Sequence, residues 1–207
     1  RSQLSDRSAA GQRRVADTMR ADLARANAID TSGLDHSTRT SVEVVKSAYA
    51  TALEGFALPY GDVAVGGWRN TPYVVIQNVG AYLDVPRFLG AEHQINEAAD
   101  AEAYLSRLQS YPKQLEGELE RAAAARAKGL VPPDFLLDKA LGQLKQSVDG
   151  ARKGGGLVES IERRTREKNI PGDWAERARS IVQQDVAPAL ERQIAELTNQ
   201  RAQAKSA

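Results

Sequence analysis

The chain has 207 residues, 42% of them apolar, with 28 Lys and Arg against 27 Asp and Glu for a formal charge of +1, and no cysteine. That length buries a real core in one large or two small domains, and the composition is that of a helical protein with well-solvated outer faces. Charges of both signs are interspersed, which argues against a basic nucleic-acid surface; the missing cysteines exclude disulfides, thiolate catalysis and Cys-ligated zinc; no apolar run reaches the length of a membrane span or a signal-peptide core. The chain starts at Arg1 rather than at a methionine, which points to a processed or excised product.

In chain order, a first helix is predicted from Ser5 or Asp6, both good N-caps, to the region of Asn27 to Asp30, with Val15, Met19, Leu23 and Ala26 on one face. A second helix follows TSGLDHST and carries Val42, Val45, Tyr49, Ala52, Leu53 and Phe56 at spacings of three and four. The pair reads as an antiparallel hairpin. The segment 59–90 then breaks the pattern, since it gathers Gly, Pro and aromatic residues with little charge. Nine of the eleven aromatic residues fall between Tyr49 and Tyr111, so this stretch is expected to thread the core. Its YVVI run, Tyr73 to Ile76, is a short strand or a buried extended strip, with a hairpin to Asp62–Val65 as one way to pair its edges.

Beyond it, Asn96 is a candidate cap for a helix whose stripe is Ala101, Tyr104, Leu105, Leu108 and Tyr111. Pro112 is expected to open a separate helix with Leu115, Leu119, Ala122 and Ala123 inward, stopped by Gly129. Pro132 and Pro133 restart the chain into a helix with Leu137, Ala140, Leu141, Leu144 and Val148 inward. A flexible break is expected near 149–157, and a last helix from about Asp173 to about Gln203, kinked or divided at Pro188. The fold class is therefore all-α: an antiparallel array of about six to seven helices in a single domain, 1–207, with an irregular segment near 59–90.

Chemistry is hard to find in this pattern. His36 and His93 are the only histidines and have no companion ligands nearby, whereas zinc needs three or four. GGWRN, 66–70, lacks both the Lys-Ser/Thr pair of a phosphate loop and dinucleotide-fingerprint spacing. It reads first as a tight turn that lets Trp68 pack, and second as part of a cleft lined by Trp68, Arg69, Asn70 and Tyr73. The carboxylates Asp100, Glu102, Glu116, Glu118 and Glu120 are read as solvent-facing helix charges. No Ser, Thr or Lys stands where a nucleophile would, so no catalytic or metal-binding residue is assigned to the chain.

The run from Leu89 to Leu144 resembles the N-terminal half of the bacterial family known as domain of unknown function 885. It shows that family's His-Gln-Ile element (His93 to Ile95), a D-A-E-x-Y-L-x-R-L helix (Asp100 to Leu108), a proline-started helix from Pro112, and a G-L-x-x-P opening of the next helix (within Gly129 to Phe135). The resemblance extends from about Ala10 to about Leu197 and implies a much longer protein of the zinc-dependent, mostly helical peptidase type. In that type an H-E-x-x-H helix in the second half binds the metal and activates water. No H-E-x-x-H occurs here, so none of the family's catalytic residues carries over. His93, Asp100, Tyr104 and Arg107 are family-motif residues without an assigned role, and Asp100 and Arg107, seven apart on one face, are expected to fix their helix to a neighbour.

The resemblance thus implies the non-catalytic N-terminal region of a periplasmic or secreted zinc-dependent peptidase or amide hydrolase. It would be one wall of a cleft for a peptide-like substrate, partnered by the C-terminal catalytic half that holds the zinc. The alternative is a stand-alone helical module that binds a peptide or protein in a groove. A partial protein should leave apolar faces of the second and last helices bare, or cover them in a homodimer.

Overall fold

The computed structural model describes residues 2–63 and 70–205. Its elements are α1 (Ala9–Asn27), α2 (His36–Phe56), α3 (Ala81–Arg87) running into a π-helical turn (Phe88–Glu92), α4 (Ala98–Ala127), α5 (Asp134–Lys153), α6 (Leu157–Glu167), α7 (Trp174–Ile181), a second π-helical turn (Val182–Val186) and α8 (Ala187–Gln203). With α7, its π turn and α8 taken as one rod, the described residues form seven helical rods and no sheet, the all-α array that the periodicity predicts. None of these helices is long and apolar enough to cross a membrane.

The core lies where α4, α5 and the α7–α8 rod meet, with α3 laid across α4. Tyr82, Tyr104, Tyr111, Leu108, Leu115, Leu137, Leu144 and Leu190 are all buried there. The irregular segment does thread the core: Val74, Val75, Ile76, Val79 and Tyr82 are buried. YVVI is neither a strand nor an extended strip: the chain bends at Val74 and Val75, Val74 to Ile76 are buried and Tyr73 is half-buried, and one isolated antiparallel bridge joins Ile76 to Val79 while a second joins Asp62 to Thr71. Ala64 and Val65, the rest of the expected hairpin partner, lie outside the described residues.

Pro112 does not open a helix. It sits inside the continuous α4, where its missing N–H deprives the Leu108 carbonyl of a helical partner. Buried Leu108, Tyr111 and Leu115 flank it, and their burial exceeds the local cost of about 3 kcal/mol. Asn96 is not the cap either. Glu97 occupies the N-cap position, and the Asp100 carboxylate reaches back to accept the Asn96 N–H at 2.9 Å. Pro188 follows the second π turn: it cannot donate to the Gln184 carbonyl, and the widened turn relieves the clash while the rod stays continuous.

Helix α6 is an addition to the elements read from the sequence. Its signals are Val158, Ile161 and Thr165 on one buried face and Glu159, which accepts the Gly156 N–H at 3.4 Å. Helix α5 runs to Lys153 and closes at Gly154, whose φ of +72° is the left-handed conformation glycine takes most cheaply. The chain turns into α6 within the next two residues.

Ser5 and Asp6 do not begin α1. Ser8 is the N-cap and accepts the Gly11 N–H at 3.1 Å, while residues 2–7 run along α4. Ser106 donates to the Ser2 carbonyl, Gln114 to Ser5 and Arg121 to the Arg7 carbonyl. Gly117 permits this close passage, since a Cβ there would stand 2.6 Å from the Ser8 nitrogen. Gly117→Ala is therefore expected to destabilise the fold, although alanine favours a helix by about 1 kcal/mol over glycine. Faster tryptic cleavage after Arg7 is the readout; unchanged cleavage would show that the segment yields without cost.

Helices α1 and α2 form the expected antiparallel hairpin and pack mainly on each other. Ala52 is the one buried residue of α2, and Val44 is 60% exposed, Val45 and Val15 41% each. The last helix differs from the second, for α8 buries Leu190 and Leu197 against α4 and α5.

Candidate functional site

The four family-motif residues come together, with Asp100, Tyr104 and Arg107 all in contact with His93. The π turn Phe88–Glu92 ends with the His93 N–H donating to the Phe88 carbonyl at 2.8 Å, which turns the ring inward, 5% exposed, between Phe88 and Tyr104 in edge-on contacts. Nε2 lies 2.9 Å from the Asp100 carbonyl and takes the proton, because Nδ1 faces the Arg107 guanidinium, which can only donate. Arg107 also stacks over the Phe88 ring at 4.9 Å and contacts the Gln3 carbonyl. Arg164 of α6 donates to the Leu89 and His93 carbonyls, and the Tyr104 hydroxyl donates to the Leu157 carbonyl at 2.7 Å.

Burial, followed by the Arg107 and Arg164 charges, lowers the His93 pKa below its ordinary value. A neutral imidazole with both nitrogens committed is a clasp joining the π turn, α4 and α6. The Asp100 carbonyl and the Arg107 guanidinium both bond the His93 ring, the Asp100 carboxylate accepts the Asn96 N–H, and Arg107 reaches the Gln3 carbonyl.

A second centre went unread in the sequence. Glu118, taken there as solvent-facing, is 1% exposed. It lies on the stripe Tyr111, Leu115, Glu118, Ala122, Ala125, one position round from the expected Leu119 and Ala123. Both its oxygens accept the Ala81 N–H at 2.9 Å, and Arg7 donates to Oε1 at 2.6 Å and to Asp84 at 2.8 Å. Burial pushes the Glu118 pKa up, against the pull of Arg7 and the Ala81 N–H. Burial also disfavours the Arg7 charge, but Glu118 and Asp84 outweigh it and raise the Arg7 pKa. The period of three and four from Tyr111 was the available signal, and a charged residue on that stripe hid it. The neighbouring Glu116 is on the surface and pairs with Arg192.

Of the four proposed cleft residues, Trp68 and Arg69 lie outside the described residues. Asn70 is exposed and Tyr73 half-buried, its N–H donating to the Thr71 hydroxyl at 3.2 Å. Neither lines the groove of about 460 Å³ that opens between α1, the end of α2 and α4. Its rim carries Arg13, Arg20, Arg121 and Lys128 together with Asp17, which pairs with Arg20, and the irregular segment contributes Tyr60, Gly61, Val63 and Val74. Arg121 pins that segment through the Gly61 carbonyl at 2.6 Å and Asp62 at 2.7 Å.

Residues 1–207 match the family described as "Bacterial protein of unknown function (DUF885)". The chain belongs to this family. No curated protein matches it. Among solved structures it is similar to the crystal structure of "the putative lipoprotein from Colwellia psychrerythraea", at 19% identity and a TM-score of 0.82. The match covers 96% of this chain but 34% of the other, so the family member described here spans about a third of that protein's length.

Zinc, which the family resemblance implies, does not fit the residues present. Among the described residues no group of three or more His, Cys, Asp or Glu side chains is placed to hold a metal. Both His93 nitrogens are already engaged, and His36 is exposed at the start of α2.

Proposed function

We propose that the chain is the non-catalytic N-terminal helical region of a zinc-dependent peptidase or amide hydrolase of the periplasm or of secretions, and that it forms one wall of the cleft for a peptide-like substrate. The observation that carries this reading is the α1–α2 hairpin, which packs mainly on itself and leaves Val15, Val44 and Val45 in solvent. Such a face is stabilised by a cover, here the C-terminal catalytic half. The length of the lipoprotein relative to this chain agrees with a further region, and its being described as a lipoprotein agrees with an envelope location.

The test is to express the gene's whole reading frame and assay peptide hydrolysis with and without a zinc chelator. Chelator-sensitive hydrolysis is expected, absent from the 207-residue chain alone and weakened in the whole product by Val44→Glu with Val45→Glu. A frame that ends at Ala207, or a longer product without hydrolysis, would sink this reading. The basic groove between α1 and α4 favours the second reading, a helical module that binds an acidic peptide or protein segment. Capture of an acidic peptide by a chain whose frame ends at Ala207 would support it.

A further inference from the structure

The groove of about 460 Å³ between α1, the end of α2 and α4 is lined by one stripe from each of two helices. Ala9, Gln12, Arg13, Ala16, Asp17 and Arg20 of α1 follow one another at spacings of three and one, so they form a single helix face. Arg121, Ala124, Ala125 and Lys128 of α4 repeat that spacing. From Ala9 to Arg20 the α1 stripe rises about 16 Å, which is room for about five residues of extended chain at roughly 3.3 Å each. The alanines and Gly55 leave the floor open, and two exposed apolar side chains, Leu58 and Tyr60, line the groove as well.

Four cations and one carboxylate line this groove, and the cations are not equally free. Arg121 is committed to the fold: it donates to the Arg7 and Gly61 carbonyls and to Asp62. Arg20 pairs with Asp17. Lys128 donates to the Pro59 carbonyl at 2.7 Å, and among the described residues no carboxylate pairs with Lys128 or with Arg13. Two exposed positive charges, one on α1 and one on α4, thus lack a counter-charge beside an apolar floor. A smaller cavity of about 370 Å³ beside Tyr111 has uncharged walls and offers no such discrimination.

We propose that the groove holds an extended peptide segment of about five residues in which apolar side chains, turned to the alanine floor, alternate with acidic side chains that reach Arg13 and Lys128. Charge complementarity selects this occupant. A wholly apolar segment leaves both cations without a partner, and a wholly acidic one sets carboxylates against the floor, where nothing repays their desolvation. Alternation suits an extended chain, whose successive side chains point to opposite sides. The inference rests on a peptide-like ligand, which both readings above share, and it gives that ligand a length and a sequence preference.

The probes are acetyl-Ala-Glu-Leu-Glu-Ala-amide and the same peptide with Gln for both Glu, alike in shape and different in charge, titrated calorimetrically into the protein at low salt. The acidic peptide should bind about tenfold more tightly, and the difference should shrink in about 0.5 M salt. Arg13→Gln should narrow the difference and Arg13→Lys should preserve it. Ala124→Glu sets a carboxylate at an exposed helical position in the groove and should abolish binding of the acidic peptide. An unchanged circular dichroism spectrum and melting temperature will show that the fold of this variant persists. No binding by the wild type, equal affinity for the two peptides, or undiminished binding by Ala124→Glu would each overturn the proposal. So would equal binding of the Gln peptide with a free C-terminal carboxylate, which would assign the cations to a chain terminus. Binding by the 207-residue chain that vanishes in the whole gene product would also overturn it, for another segment of the protein would then fill the groove. Hydrolysis separates the two readings: an acidic peptide that the whole product binds and does not cleave supports the groove and counts against the peptidase.

Discussion

Glu118→Ala is expected to destabilise the protein by about 3–5 kcal/mol, the range for removing one partner of a buried ion pair. Three groups lose their acceptor at once. The Ala81 N–H, at the first residue of α3, has the two Glu118 oxygens as its partners and is itself fully buried. Arg7 retains Asp84 but loses its buried carboxylate, and the Gln193 amide keeps only the Leu115 carbonyl. Because Arg7 belongs to the N-terminal segment and Ala81 to α3, the loss should loosen both from α4. Glu118→Gln keeps an acceptor for Ala81 and should cost less, about 1–3 kcal/mol. Urea unfolding of the two variants, of Arg7→Ala and of the Arg7→Ala/Glu118→Ala double variant reads the coupling directly. A double variant no worse than either single one is expected. Strict additivity would mean that the two side chains act independently.

The second large effect concerns His93. His93→Ala removes two hydrogen bonds and two edge-on ring contacts, and about 2–3 kcal/mol is the expected cost. The same clasp makes the fold sensitive to acid. The folded-state pKa of His93 is depressed by burial and then by the Arg107 and Arg164 cations, so the unfolded chain takes up the proton more readily. Its contribution is fully present above the unfolded value near 6.5 and declines as pH falls below it, by about 1.4 kcal/mol for each unit by which the two values differ. Unfolding by urea at about pH 8 and about pH 5, for wild type and His93→Gln, checks this, because glutamine does not titrate. The wild type should lose more stability over that interval than the variant. Equal losses would assign the acid sensitivity to other groups.

Much of the scaffold was legible because helices are local. The hairpin of α1 and α2, the inward face of α5, the stop at Gly129 and the disturbance at Pro188 all follow from periodicity and from glycine and proline chemistry within a few residues. Pro112 was misread for the same reason. Local rules place it at a helix start, and only the burial of Leu108, Tyr111 and Leu115 explains why α4 runs through it. The candidate sites were less legible. His93, Asp100, Tyr104 and Arg107 stood out as a motif, yet Arg164, which completes the clasp, lies 71 residues from His93. Glu118 pairs with Arg7 at a separation of 111 residues.

By itself, then, the sequence determined the all-α class, the family, the absence of an H-E-x-x-H motif and such helix limits as the stop at Gly129. These depend on side-chain period, short motifs and backbone chemistry. Tertiary structure alone decided that a glutamate lies in the core, that the N-terminal segment lies along α4, and that a cavity opens beside Tyr111. A buried charge is tolerated only where distant partners converge on it, and a cavity exists only between elements, so neither can be read from one stretch of chain.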